Sequence, residues 1–295
     1  MFYTIEELVQ QADNFSGNVA ELMIATEIEL TGRSREEILT IMSRNLTVMK
    51  TSIVDGLTES KSVSGLTGGD AAKLDAYMKS GKTLSDSAVL SAARNAMAVN
   101  ELNAKMGLVC ATPTAGSAGC LPAVLGVAIE KLNLTEEQQL DFLFTAGAFG
   151  LVIANNASIS GAEGGCQAEV GSASAMSAAA LTLAAGGTPY QASQAICFVI
   201  KNMLGLICDP VAGLVEVPCV RRNAMGASYA MVAADMALAG IESKGIESKI
   251  PVDEVINAMY QVGSALPTAF RETAEGGLAA TPTGRRLAQE IFGED

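Results

Sequence analysis

Three cysteines stand in turn-forming segments of the 295-residue chain, where they could bind a metal. Cys166 lies in GAEGGCQAEVG (161–171), and Cys208 and Cys219 lie in GLICDPVAGLVEVPCVRRN (205–223). The glycines around Cys166 would let the backbone approach a bulky cofactor. Three thiolates on an iron–sulfur cluster leave one iron without a protein ligand, which is the arrangement that Lewis-acid chemistry requires. We therefore interpret the three cysteines as ligands of such a cluster.

Spacing alone leaves other interpretations of the six cysteines open. A free cysteine is usually a small buried hydrophobe, which is the interpretation we favour for Cys197 in the apolar run AICFVI. Cys110 and Cys120 flank a polar turn and fit either a core or a site role. Zinc bound by three cysteines is a further alternative, although the wide spacing lacks the CxxC pairs of common structural zinc sites.

A turn rich in hydroxyls and glycine, TPTAGS at 112–117, precedes an apolar helix that we predict from about residue 121. Free backbone N–H groups at a helix N-terminus suit a carboxylate ligand. A plain N-cap with a proline turn explains the same pattern equally well. The candidate carboxylate-binding residues are Thr112, Thr114, Gly116 and Ser117.

Residues 55–69, DGLTESKSVSGLTGG, interrupt the helical periodicity with Gly, Ser and Thr. Such a segment is either an ordinary surface loop or a polar loop that lines a site, and composition favours the surface loop. In the site interpretation, Lys61, Ser62 and Ser64 would bind an anion together with the glycine backbone.

Composition and charge exclude several classes of function. The net charge of −13 argues against a nucleic-acid partner, because a phosphate backbone would be repelled. The chain has no histidine, so it cannot by itself supply a histidine base or a Ser–His–Asp triad. The N-terminus lacks the features of a signal peptide, which predicts a cytoplasmic protein. Hydrophobic residues make up 49% and charged residues 17%, which suits a thick core or the large subunit interface of a homo-oligomer.

Helical spacing and capping boxes dominate the chain, and alternating strand patterns are almost absent. The uncharged run 170–200 is cut by Gly-Gly-Thr-Pro, so we interpret it as buried helices and not as a membrane span. We predict one all-α domain over 1–295, with functional loops between buried helices. The predicted helices cover 4–12, 18–30, 34–54, 70–78, 85–106, 121 onward, 135–155, 168–185, 189–204, 223–239 and 251–266.

Four segments carry a resemblance to a known family. They are SGLTGGDAAKL (64–74), ATPTAGSAGCLPAVLG (111–126), GAEGGCQAEVGSASAMSAAAL (161–181) and CDPVAGLVEVPCVRRNA (208–224). Together they closely resemble the iron–sulfur-dependent L-serine dehydratases, and specifically the α-subunit of their two-subunit form. The resemblance covers nearly the whole chain and implies an all-helical catalytic region that forms pyruvate and ammonia.

The resemblance also implies roles for individual residues. A [4Fe–4S] cluster would be held by Cys166, Cys208 and Cys219, and its open iron would act as a Lewis acid on the serine hydroxyl. The 112–117 turn would grip the substrate carboxylate, and the 61–64 segment would form the pocket rim. Arg222 and Asn223, just after the third cysteine, would orient substrate or balance the negative charge of the cluster.

The chain lacks the additional small domain of the single-chain family members, and it has no histidine. If the base that removes the α-proton is a histidine, it must come from a separate β-subunit. Three alternatives remain. A related cluster lyase could act on L-threonine or L-cysteine, and a non-catalytic helical subunit could use the thiols for a structural metal or for redox sensing. A pyridoxal-phosphate dehydratase is disfavoured, because no convincing phosphate-binding strand–loop–helix is present.

Overall fold

A computed structural model describes residues 1–239 and 246–293, and the secondary structure of that part consists of helices joined by loops, as predicted. Within it, one isolated β-bridge pairs Cys208 with Arg271. The helices are α1 (Ile5–Ala12), α2 (Val19–Thr31), α3 (Arg35–Gly56), α4 (Asp70–Lys79), α5 (Ser87–Ala104), α6 (Cys120–Leu132), α7 (Glu136–Asn156), α8 (Gly161–Gly164), α9 (Ser172–Ala184), α10 (Pro189–Met203), α11 (Cys219–Leu238), α12 (Val252–Ala265) and α13 (Pro282–Phe292).

Local capping signals set several helix starts where the sequence predicts them. Ser34, Thr135 and Thr188 each form a reciprocal capping box with the residue three positions on. Thr4 accepts from the backbone N–H of Glu7 at 3.0 Å, although Glu7 bonds to the N–H of Tyr3 and not to that of Thr4. These bonds satisfy backbone donors that the first helical turn leaves free.

The core is built from small side chains that let helices approach closely. Helix α9 is central and packs against α6, α7, α10 and α11. A Cβ on Gly226 of α11 would lie 2.5 Å from the Ser174 hydroxyl oxygen of α9, so only glycine fits there. Two of the hydroxyls buried in α9 are satisfied within the helix, as Ser177 donates to the Ala173 carbonyl at 2.6 Å and Thr182 to the Ala178 carbonyl at 2.8 Å. Cys197 is fully buried in this core, as predicted.

The helices differ from the prediction in three main places. Helix α11 begins at Cys219 and not at residue 223, because Pro218 supplies the N-cap position and its carbonyl accepts from Arg222 at 3.0 Å. Cys166 lies between the single turn α8 and a π-helix, Gln167–Gly171, that runs into α9. The C-terminal tail also contains α13, where Thr281 caps a helix that has proline at its first position.

The apolar runs do not form membrane spans. Among the described residues, no helix combines the length and apolarity needed to cross a bilayer. The uncharged run 170–200 divides into α9 and α10, with the Gly186 turn between them.

Candidate metal and substrate site

The three candidate ligand cysteines come from three separate segments. Cys166 follows Gly165, whose φ of 74° turns the chain out of α8. Cys208 lies in the loop after α10, where its N–H donates to the Phe270 carbonyl at 2.9 Å. Cys219 is the first residue of α11. All three side chains are buried, so the fold brings thiols that are distant in sequence into its interior.

Two of the thiols and one carboxylate form a compact group. The Sγ atoms of Cys166 and Cys208 and a carboxylate oxygen of Glu169 all lie within 4.8 Å of one another. A Cβ on Gly161 would lie 3.3 Å from the Cys208 Sγ, so glycine allows the thiol to lie close to the backbone there. Cys219 lies outside this group, at the start of α11, and its pKa is raised by burial first and then by the charge of the Cys166 thiolate. Buried, convergent thiols fit a thiolate-bound metal centre.

The thiols differ in how readily they ionise. A hydrogen bond with Cys208 lowers the pKa of Cys166, and the charge of Arg222 adds to that effect. The same hydrogen bond, together with burial, raises the pKa of Cys208. Cys166 is therefore the thiol of this pair that carries the negative charge first.

Arg222 supplies positive charge beside the thiols. Its guanidinium lies 3.4 Å from the Cys166 Sγ and donates to the Ile207 carbonyl at 2.9 Å. It also pairs with the Asp209 carboxylate at 2.8 Å, with both side chains largely buried. Asp209 in turn accepts from the N–H of Leu278 at 2.7 Å, which ties the C-terminal loop to the cysteine loop. Two roles were predicted for Arg222, orienting the substrate and balancing negative charge. Its contacts with the Cys166 thiol and the Asp209 carboxylate fit the second role.

The predicted carboxylate-binding turn lies against the same group. Thr114 donates a short hydrogen bond from its hydroxyl to the Glu169 Oε1. Ser117 is fully buried and donates to the Thr112 carbonyl at 3.2 Å, which closes the turn. Glu169 thus connects the hydroxyl turn to the Cys166–Cys208 pair.

Asn223 fixes the turn to α11. Its side-chain amide donates to the carbonyls of Gly116 at 2.8 Å and Cys219 at 3.0 Å. Its Oδ1 accepts from the N–H of Gly119 at 3.2 Å. Since Asn223 is fully buried and its donors and acceptor are engaged with the protein, it positions the turn relative to Cys219.

The 60–69 loop is occupied by a glutamate of the protein itself. Ser62 donates to Glu216 at 2.6 Å, and Ser64 contacts both oxygens of that carboxylate, at 2.7 and 2.8 Å. The Lys61 side chain is exposed. Glu216 precedes Cys219 by three residues, so the loop contacts the segment that carries the third thiol, and the hydroxyls of Ser62 and Ser64 are already engaged there.

Two acidic residues of the site were not among the predicted site residues. Glu169 is 8% exposed and Glu272 is half-buried; burial raises the pKa of both carboxyls. A signal for Glu169 existed, because it follows Cys166 by three residues, a spacing that places side chains on one helical face. No sequence signal identified Glu272, because its position next to the thiols depends on the β-bridge between Cys208 and Arg271.

The two cysteines that flank the turn lie elsewhere. Cys120 is fully buried, contacts Asn223 and Ser174, and has a pKa raised by burial to about 12. Cys110 lines a cleft of about 430 Å³, and its Sγ lies 3.6 Å from the Asn45 carbonyl. Neither belongs to the Cys166–Cys208 group.

Comparison with known proteins gives a consistent picture. A family model described as serine dehydratase alpha chain matches residues 16–279. A probable L-serine dehydratase alpha chain of Bacillus subtilis is 59% identical over 293 residues, which is 99% of this chain and 96% of the relative. The L-serine dehydratase alpha chain of Peptoniphilus asaccharolyticus is 40% identical, covering 100% and 99%. L-serine dehydratase TdcG of Escherichia coli is 35% identical over 94% of this chain but only 61% of its own length.

Proposed function

The chain belongs to the serine dehydratase alpha chain family, and we propose that it converts L-serine to pyruvate and ammonia with the aid of a [4Fe–4S] cluster. The observation that carries the proposal is the buried convergence of Cys166, Cys208 and Glu169 beside the hydroxyl turn. A redox or purely structural metal subunit has no need for such a turn at its thiols.

The residues that would hold the cluster are Cys166, Cys208 and Cys219. When bound, a cluster with three protein thiolates supplies a Lewis-acidic iron that makes the serine hydroxyl a better leaving group. Arg222 balances the negative charge of the thiolates through its contact with Cys166. The absence of a side chain at Gly161 lets the Cys208 thiol and the Glu169 carboxylate lie against the backbone there.

The turn at 112–117 binds the substrate carboxylate. Among the described residues, the backbone N–H groups of Ala115 and Gly116 have no hydrogen-bond partner, so they are free to donate to an anion. The neighbouring bonds of Thr114, Ser117 and Asn223 hold the turn in place. This preorganised geometry fixes the substrate without further ordering of the loop.

The remaining step requires a base that removes the α-proton of serine. Loss of that proton and of hydroxide gives aminoacrylate, which tautomerises to the imine and is hydrolysed to pyruvate and ammonia. The chain contains no histidine. We therefore place the base on a β chain that completes the site.

Two observations support a partner chain. The Escherichia coli relative has substantial sequence beyond the part that this chain covers, whereas the alpha chains of the other two relatives are covered almost completely. In addition, α11 begins at Cys219 and presents an exposed apolar stripe at helical spacing that could pack against a partner. The stripe consists of Met225, Tyr229, Val232 and Met236.

Anaerobic reconstitution tests the proposal. The chain should take up iron and sulfide in equal amounts, and Cys208→Ser should lose most of both. Cys110→Ser is the matched control and should load normally, because Cys110 lies outside the thiol group. With L-serine, the loaded chain should form little pyruvate until a β chain of L-serine dehydratase is added. Equal iron and sulfide loading of the Cys208→Ser and Cys110→Ser variants would contradict the proposed cluster ligands. Full activity of the chain alone would contradict the requirement for a partner chain.

A further inference from the structure

L-serine presents three polar groups, the α-carboxylate, the α-ammonium and the β-hydroxyl, and the proposed function provides anchors for two of them. In that proposal, the thiol-bound cluster would bind the hydroxyl, and the N–H groups of the 112–117 turn would bind the carboxylate. The α-ammonium is a cation, which requires an anionic partner. A site with only two anchors also cannot distinguish the L from the D enantiomer, since three contacts are needed to define handedness.

Glu169 lies where a third anchor is needed. Thr114 fixes its Oε1, and the carboxylate reaches to within 4.8 Å of the thiols of Cys166 and Cys208. Its Oε2 has no hydrogen-bond partner in the described part of the chain, although the residue is only 8% exposed. This oxygen is not one of the fully enclosed unpaired atoms of the described chain, so it keeps some access from outside and a ligand can reach it.

The glycines beside Glu169 let its carboxylate lie directly against the backbone. A Cβ on Gly116 would lie 2.6 Å from Oε1, and a Cβ on Gly161 would lie 3.2 Å from Oε2. The same Cβ on Gly161 would lie 3.0 Å from the Oε2 of Glu272. Two carboxylates and a thiol therefore lie close together against the backbone of Gly161, which has no side chain to separate them.

The charges around this space favour a cation. Arg222 is already engaged by Cys166, the Ile207 carbonyl and Asp209. Glu169 and Glu272 have no ion pair within the described residues. An ammonium group bound there would reduce an excess of negative charge next to the thiolates.

We propose that Glu169 receives the α-ammonium of the substrate and thereby sets the preference for an L-amino acid. This inference rests on the proposed function. Glu169 is favoured over Glu272 because it is more deeply buried and is held by the turn that carries the carboxylate anchor. Glu272 contributes its charge from the C-terminal loop.

The test compares L-serine with 3-hydroxypropanoate, which keeps the carboxylate and hydroxyl but lacks the ammonium. Both are titrated into the anaerobic, cluster-loaded complex with its β chain, and dissociation constants are read from the cluster spectrum or from displacement of the other ligand. The wild-type complex should favour L-serine. Glu169→Gln should weaken L-serine binding about 100-fold, because a buried charge loses its partner. Binding of 3-hydroxypropanoate should change less than about threefold.

Glu163→Gln is the matched control. Glu163 lies in the same segment, but its carboxylate accepts from Ser158 at 2.7 Å on an exposed surface. This variant should keep the wild-type preference for L-serine over 3-hydroxypropanoate. It should also keep the wild-type preference for L-serine over D-serine.

Three results would overturn the inference. Glu169→Gln could retain the preference for L-serine, could lose both ligands equally, or could lose cluster iron, which would make Glu169 a cluster-holding residue. Failure of the proposed function is distinguishable from these, because the wild-type complex itself would then show no serine-dependent spectral change, and both proposals would fail together.

Discussion

The loop at 60–69 and the turn at 112–117 look alike in sequence, since both combine glycine with hydroxyl side chains. In the folded chain, each presents hydroxyls to a buried glutamate. Glu216 accepts from both Ser62 and Ser64, and both of its oxygens are used. Glu169 accepts from Thr114 on one oxygen, and the other faces the thiol side of the molecule.

The number of carboxylate oxygens that the protein itself satisfies distinguishes a structural contact from a binding site. A carboxylate whose oxygens are both satisfied by the protein holds two segments together and has no capacity left for a ligand. One with an unpartnered oxygen next to thiols and free backbone N–H groups has that capacity. Composition cannot distinguish the two cases, because the distinguishing feature is which glutamate the fold brings to each loop.

The largest effect on activity in this comparison is expected from Gly116→Ala. Its Cβ would lie 2.6 Å from the Glu169 Oε1, so the carboxylate must move and lose its bond to Thr114. We expect kcat/KM for L-serine to fall about 100-fold, as a displacement of about 1 Å at a site can cost that much. Steady-state kinetics of the loaded complex measures this.

Gly147→Ala is a suitable control, because nothing lies within 4 Å of its Cβ position and the residue is within α7. Alanine there should leave kcat/KM unchanged and raise stability by up to about 1 kcal/mol. Normal activity of Gly116→Ala would show that the turn does not depend on Glu169, and the proposed distinction between the two loops would be lost.

Glu216→Ala should affect stability more than chemistry. It leaves the hydroxyls of Ser62 and Ser64 without their acceptor, and Ser62 is buried. We expect the free energy of unfolding to fall by about 2 kcal/mol, a typical cost for unsatisfied buried groups. Denaturant unfolding of the cluster-free chain measures it. A loss of serine affinity greater than the loss of stability would instead place Glu216 in the substrate site.

Much of the fold could be predicted because helix signals are local. The capping boxes at Ser34, Thr135 and Thr188 act within one turn, and the all-α prediction is confirmed. The C-terminal helix was missed even though Thr281-Pro282 repeats the start signal of Thr188-Pro189. A threonine N-cap followed by proline therefore predicts α13 by the same local signal as α10.

The site was predictable only where its signals were local. The cysteines stand beside Gly, Pro and Asp and could be identified as candidates from their neighbours. The contacts of Glu216 with Ser62 and of Glu272 with Cys208 join residues far apart in sequence. They depend on tertiary packing, so no local pattern predicts that Ser62 meets a glutamate of the same chain.

The smallest effect is expected from Lys61→Ala. The sequence grouped Lys61 with Ser62 and Ser64 as a rim of the anion site, but its side chain is exposed while its neighbours bind Glu216. Exposed substitutions of this kind usually change stability by less than about 0.5 kcal/mol, so KM for L-serine and the unfolding midpoint should both stay close to wild type. A several-fold rise in KM, reversed by Lys61→Arg, would mean that positive charge at this loop attracts the substrate carboxylate. The loop at 60–69 would then share in the site after all, through the exposed ammonium group of Lys61.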